Sequence, residues 1–149
     1  MEPYCEEVRD FFFRTREQLL RLEEMKEHED FLRSRVMGLR VGNSPLASAC
    51  GRDSSRMEAA LVTLADYHQE MKRKNLEALH RVELAEELTM SLQNPLERRL
   101  IRARYLHGRK WEEIRRELYL SETHVHRLHR QAMEKMAPLY QVLKKEEIQ

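Results

Sequence analysis

The stretch YLSETHVHRLHRQAM, residues 119–133, places three histidines within six positions. Histidine is the usual side chain for metal ligation and for proton transfer near neutral pH. On a helix, His124 and His126 point about 200° apart, so one chain cannot bring both to one ion. His126 and His129 are three apart and can share a face, yet no cysteine or carboxylate completes a tetrahedral set around them. The chain has no glycine-rich phosphate loop and no Ser or Cys nucleophile matched to a histidine. Glu112 and Glu113 are adjacent, face different directions on a helix, and suit its positive N-terminal end. These residues predict no metal, no cofactor and no enzyme. They fit a basic helix meant to lie against a polyanion, whose negative field favours protonated imidazole. Affinity should then rise as pH falls from about 8 to about 6, through His124, His126 and His129.

The distribution of charge points the same way. The formal net charge is only +1, but residues 1–96 hold 14 Lys+Arg against 18 Asp+Glu, whereas residues 97–135 hold 11 against 6. A split of this kind suggests a polyanion-binding unit joined to a neutral or acidic partner-binding one. Charged residues make up 36% of the chain, while glycine and proline number four each. Such a composition favours long helices over a sheet. No apolar run approaches the roughly 20 residues needed to span a bilayer. The start, MEPYCEEVRD, is acidic and lacks the apolar core of a signal peptide. Cys5 and Cys50 form no C-x-x-C and no disulfide framework. A cytoplasmic protein without membrane contact is expected.

The elements that must position the histidines read as follows. Val8, Phe11, Phe12, Leu19, Leu22, Met25, Leu32 and Val36 recur at helical spacing from about residue 3 to 37. A Gly/Ser-rich loop follows at 37–55, and Ser55 with Glu58 has capping-box spacing. From Met57 through Leu61, Leu64, His68, Met71, Asn75, Ala78, Val82, Ala85 and Thr89 to Leu92, steps of four and three alternate without a break. That is a coiled-coil seam, and its polar members His68, Asn75 and Thr89 fix register or mark a docking point. The two helices predict an antiparallel hairpin over residues 1–92. Phe13 and Leu20, off the main stripe, are expected to be exposed and to leave room for a homodimer through the coiled coil or for a larger bundle. At NPLE, Asn94 caps, Pro95 takes the first helical position and Glu97 completes a second capping box. Three short helices should fill 93–137: one ending near Gly108, one at about 111–118, and one over 121–136 with Ser121 as its cap. Pro138 should end or kink the last, leaving a tail at 138–149 with a weak stripe.

Short helix, tight turn, short helix is a helix-turn-helix. Trp111, Ile114, Leu118, Leu120, Val125 and Leu128 fall where its two helices would pack. The stretch LERRLIRARYLHGRKWEEIRRELYLSETHVHRLHRQAMEKM resembles the promoter-reading region four of bacterial sigma factors. RYLHGRKWEEI followed by SETHVHRLHRQAM is closer still to small sigma-like regulators encoded by phages and prophages of Gram-positive bacteria, which place a helical hairpin ahead of this domain. The resemblance implies an all-α fold, a long hairpin followed by a three-helix sigma-region-four-like domain. It also implies that recognition helix 121–136 enters the major groove of double-stranded DNA. On that docking Glu122, Thr123, His126 and Arg127 would face base edges, and Lys110, Arg116, His124 and Arg130 would lie nearer the phosphates. Three residues depart from the family. Lys110 stands where a Ser or Thr cap is usual, Arg115 replaces a small alanine, and Tyr119 occupies a turn position normally held by Gly or Asn. A bulky residue at positive φ is strained, which argues for a turn of another shape.

The expected function is sequence-specific transcriptional regulation at a promoter or operator, with RNA polymerase as a further partner. The alternatives are an adaptor that binds RNA polymerase or a sigma factor through the hairpin, and a phage small terminase subunit. In small terminases the DNA-binding unit normally precedes the oligomerising helices, whereas here it follows.

Overall fold

The computed structural model describes residues 3–41 and 52–148 and contains no strand among them. The elements are α1 (Pro3–Val41), α2 (Arg52–Met90), α3 (Pro95–Ile101), a π-helical turn (Arg102–Leu106), α4 (Trp111–Leu118) and α5 (Glu122–Ile148). The fold is all-α, as expected, with two 39-residue helices ahead of the short α3 and α4 and the 27-residue α5. Of the predicted loop, residues 37–41 continue α1 and residues 52–55 already belong to α2; the rest, including Cys50, lies outside the described residues. Ser55 is therefore inside α2 rather than at its cap.

The chain divides into two compact units, Arg21–Glu77 on one hand, and the residues up to Leu20 with those from Ala78 onward on the other. Within Arg21–Glu77 the two helices run antiparallel. His28 stands 4.9 Å from the Tyr67 ring, Glu29 meets His68, and Leu32, Arg35 and Leu39 share a cleft with Arg56, Ala59, Ala60 and Thr63. This pairing is thin: among the described residues, Val36 and Glu29 are its buried side chains. Glu29 Oε1 lies 2.7 Å from His68 Nδ1 and accepts from Arg33 Nη2 at 3.1 Å. The hydrogen bond with His68, helped by Arg33, holds the Glu29 carboxyl below the usual carboxylate range. The histidine that interrupts the apolar seam thus has a buried partner on the facing helix.

The larger unit has one core. Val8 and Phe12 from α1, Leu88 and Leu92 from the end of α2, and Leu100, Ile101, Ile114, Val125, Met133 and Met136 from the C-terminal helices are all essentially inaccessible to solvent. Phe12 and Tyr105 rings lie 5.4 Å apart. Thr15 and Thr89 are buried but return their hydroxyls to Phe11 O and Ala85 O, so neither is an unsatisfied polar group. Arg16 reaches across to the C-terminal helices: Nε donates to Arg104 O and Nη2 to Gly108 O, each at 3.1 Å. Gly108 has φ +68, and a Cβ there would stand 3.0 Å from Leu20 Cδ2, so both conformation and space call for glycine. Leu20, expected to be exposed, is half-buried against this glycine, whereas Phe13 is exposed.

Helix α5 does not stop at Pro138 but continues to Ile148. Pro138 and Glu134, four residues earlier, are both exposed, so water can satisfy the carbonyl that loses its helical partner. Packing holds the helix on both sides of the proline. Ala137 is buried, Leu139 and Leu143 lie against the core, and Tyr140 stands 5.3 Å from Phe11.

Because Phe12 completes a core built mostly by the last third of the chain, Phe12→Ala should destabilise those helices rather than α1 alone. Urea denaturation followed by the fluorescence of Trp111, the single tryptophan, should show a loss of about 3–5 kcal/mol. A shift under 1 kcal/mol would mean that the ring is dispensable to this core.

Candidate nucleic-acid interface

Helix α3 opens as its sequence suggests, with Asn94 Oδ1 accepting from Leu96 N–H at 3.0 Å and Pro95 at the first position. Glu97 does not close a capping box. It is buried, and Oε1 accepts instead from Lys135 Nζ on α5 at 2.7 Å. The π-helical turn follows, with His107 N–H bonded to Arg102 O at 2.9 Å, and Gly108 ends it. Arg104 from this turn lies over the Trp111 ring at 4.6 Å, and Arg109 pairs with Glu117.

Helix α4 starts from Lys110, whose backbone is extended and whose side chain makes no capping bond. Its first turn instead carries Glu112 and Glu113, whose charges suit the helix N-terminus. The helix ends at Tyr119 with φ 55 and ψ 45, in the left-handed region. Leu120 N–H bonds to Arg115 O at 3.0 Å, the long closing bond of a Schellman turn. The turn therefore keeps the shape that glycine usually supplies, contrary to the expectation of another geometry. Ser121 Oγ then accepts from His124 N–H at 3.2 Å and opens α5. Ile114, Val125 and Leu128 are buried between the helices, with Trp111, Leu118 and Leu120 half-buried beside them.

This frame puts Glu122, Thr123, His126 and Arg127 in solvent at the start of α5, with Lys110, Arg116 and Arg130 also exposed and His124 half-buried. Among the described residues, Lys110, Arg116, Arg127 and Arg130 form no ion pair. His126 sits 6.0 Å from the Trp111 ring and lines a cleft with Glu6, Arg9, Asp10 and Phe13 of α1. A residue expected to reach outward thus also forms the wall of a cleft shared with the N-terminal helix.

His129 is a correction to the sequence reading. It is buried, bonds through Nε2 to the Tyr105 hydroxyl at 2.6 Å, and meets the Trp111 ring edge-on at 5.2 Å. Burial, reinforced by Arg9, pushes its pKa down to about 4, and burial pushes Tyr105 up to about 12. His129 is neutral near pH 7 and cannot attract a polyanion. The signal was in the spacing: Val125, Leu128, His129, Ala132 and Met136 form one helical stripe. Among the described residues, no group of three His, Cys, Asp or Glu is placed to hold a metal ion.

Residues 94–137, from the α3 cap to just past the middle of α5, match the protein family described as Sigma-70, region 4. No curated protein and no solved structure matches the chain. The matched segment is under a third of the sequence and comprises the helix-turn-helix together with α3; it is sigma-region-four-like. No helix among the described residues is long and apolar enough to cross a membrane.

The sign of the His129 shift makes a prediction. The unfolded chain takes up a proton near the ordinary histidine value while the folded chain resists it until about pH 4. This contribution to stability is intact above about pH 6.5 and is lost progressively as pH falls toward 4, by up to about 3 kcal/mol. Urea melts of wild type and His129→Gln across this range should show the variant with a shallower decline. Parallel curves would remove His129 from the acid sensitivity.

Proposed function

We propose that this protein is a sequence-specific DNA-binding transcriptional regulator, which reads a promoter or operator element with the N-terminal turns of α5. The observation that carries the reading is the exposed set of Lys110, Arg116, Arg127 and Arg130, without an ion pair among the described residues, around the helix-turn-helix of the region-four-matched segment. In this docking Arg127 and Glu122 have the chemistry to read guanine and cytosine edges, with Thr123 and His126 beside them. Lys110, Arg116, His124 and Arg130 would hold the phosphates and set the register. A phage or prophage origin rests on the resemblance of RYLHGRKWEEI and SETHVHRLHRQAM to regulators of that kind. RNA polymerase is a further proposed partner, through the same domain.

An adaptor reading draws on a different observation. Within Arg21–Glu77, Phe31, Met37, Leu61, Val62 and Leu76 are exposed apolar side chains, which supports contact with another protein or a second copy of the chain.

The deciding experiment is selection of bound fragments from host and phage genomic DNA, with Arg127→Ala in parallel. Recovery of one shared element by wild type, with about tenfold or greater loss in the variant, is expected from one good bidentate base contact. Uniform binding across sequences, unchanged by the substitution, would favour the adaptor.

A further inference from the structure

Tyr119 occupies the turn between α4 and α5 in a conformation that is unfavourable for a residue with a Cβ. The residue is 94% exposed, more than any other exposed large hydrophobic among the described residues, so its ring adds nothing to the core. Glycine or asparagine would hold the same backbone with less strain. The ring is also not free to fold back. Leu118 and Leu120 on either side are packed against the core, and the bond from Leu120 N–H to Arg115 O pins the turn between them. The strain is held in place by its neighbours while the side chain is held outward, a combination that points to use rather than packing.

Its surroundings say what that use is. Two residues on, Ser121 caps α5, and Glu122 and Thr123 begin the turn that the proposed function places in the major groove. One turn back on α4, Arg116 is exposed and forms no ion pair among the described residues. In that docking, a side chain that leaves the protein between these points would reach the rim of the groove, where the sugar-phosphate strand runs. Tyrosine suits that place, with a stiff ring to lie on a deoxyribose and a hydroxyl to donate to a phosphate oxygen. We infer that Tyr119 is a DNA-backbone contact, which positions the recognition helix without reading sequence. The inference rests on the proposed DNA-binding function.

The test uses the full chain as wild type, Tyr119→Gly, Tyr119→Asn, Tyr119→Phe and Arg127→Ala. Each is measured for affinity to the selected fragment and to an unrelated duplex, and for melting temperature. Tyr119→Gly should melt higher by about 2–4 °C, yet bind both duplexes about three- to tenfold more weakly. Tyr119→Asn, which also tolerates the left-handed backbone, should lose the same affinity and separates loss of contact from any fault of folding in the glycine variant. Tyr119→Phe should lose part of the affinity at unchanged melting temperature. The salt dependence should keep its slope in all three, since no charge is removed. If wild type binds and Arg127→Ala does not, while Tyr119→Gly and Tyr119→Asn bind as wild type, the contact is refuted and the DNA reading stands. If wild type binds neither duplex, both fall.

Discussion

The burial of Val8 and Phe12 among side chains that follow them by some eighty to a hundred and thirty residues is the constraint on which the candidate interface depends. Helix α3 has seven residues and α4 eight, and helices shorter than about 12 residues are marginal in water without tertiary packing. A segment of the size of 94–137 also buries too little apolar surface for a secure core of its own. The first turns of α1 and the last turns of α2 supply the missing wall. Arg16 fixes that wall through two backbone carbonyls at the end of the π-helical turn. The ring cluster of Phe12, Tyr105, His129 and Trp111 follows from this arrangement. His126 owes its cleft to the same packing.

Charge in this unit is divided between structure and surface, and a count of residues hides the division. Arg102 is engaged by Glu86, Arg109 by Glu117, Arg104 by the Trp111 face and Lys135 by Glu97. Lys110, Arg116, Arg127 and Arg130 keep their charge for solvent or a ligand. The excess of basic residues in this half of the sequence therefore overstates the field it can project, and what it does project is concentrated around α4 and the start of α5. Screening would blunt scattered surface charges more than a group acting together on one polyanion.

Local rules written into the sequence were legible, and contacts between distant residues were not. The Asn94 and Ser121 caps, the end at Gly108 and the stripe of Ile114, Val125 and Leu128 could be read from spacing, because each depends on neighbours a turn or two away. Glu97 satisfied the same kind of rule and was misread, since Lys135, 38 residues on, draws its carboxylate inward. The stripe on α1 showed which face is apolar but not that Val8 and Phe12 pack with α3 and α5. Pro138 reads locally as a stop, yet packing on both sides carries the helix through it. Tyr119 reads as unsuited to positive φ, and the anchored leucines beside it hold it there regardless. The exposure of Arg127 and Arg130 could be foreseen from their places between buried Val125, Leu128 and Ala132. Their ligand is a matter of chemistry that folding does not dictate.

The closure of this core by residues of α1 that precede the rest of it has a consequence on the ribosome. Val8, Phe11 and Phe12 are made before Ile114, Val125 and Met133, and at ordinary elongation rates roughly a hundred residues take about 5–20 s to add. During that interval the N-terminal turns of α1 lack the core partners that Ile114, Val125 and Met133 later supply. Helix α5 is made after α1 and α2 and finds its wall already synthesised. The domain then assembles as a late, long-range closure rather than by growth from one end, and truncated chains that stop before α5 would carry an uncovered aromatic face.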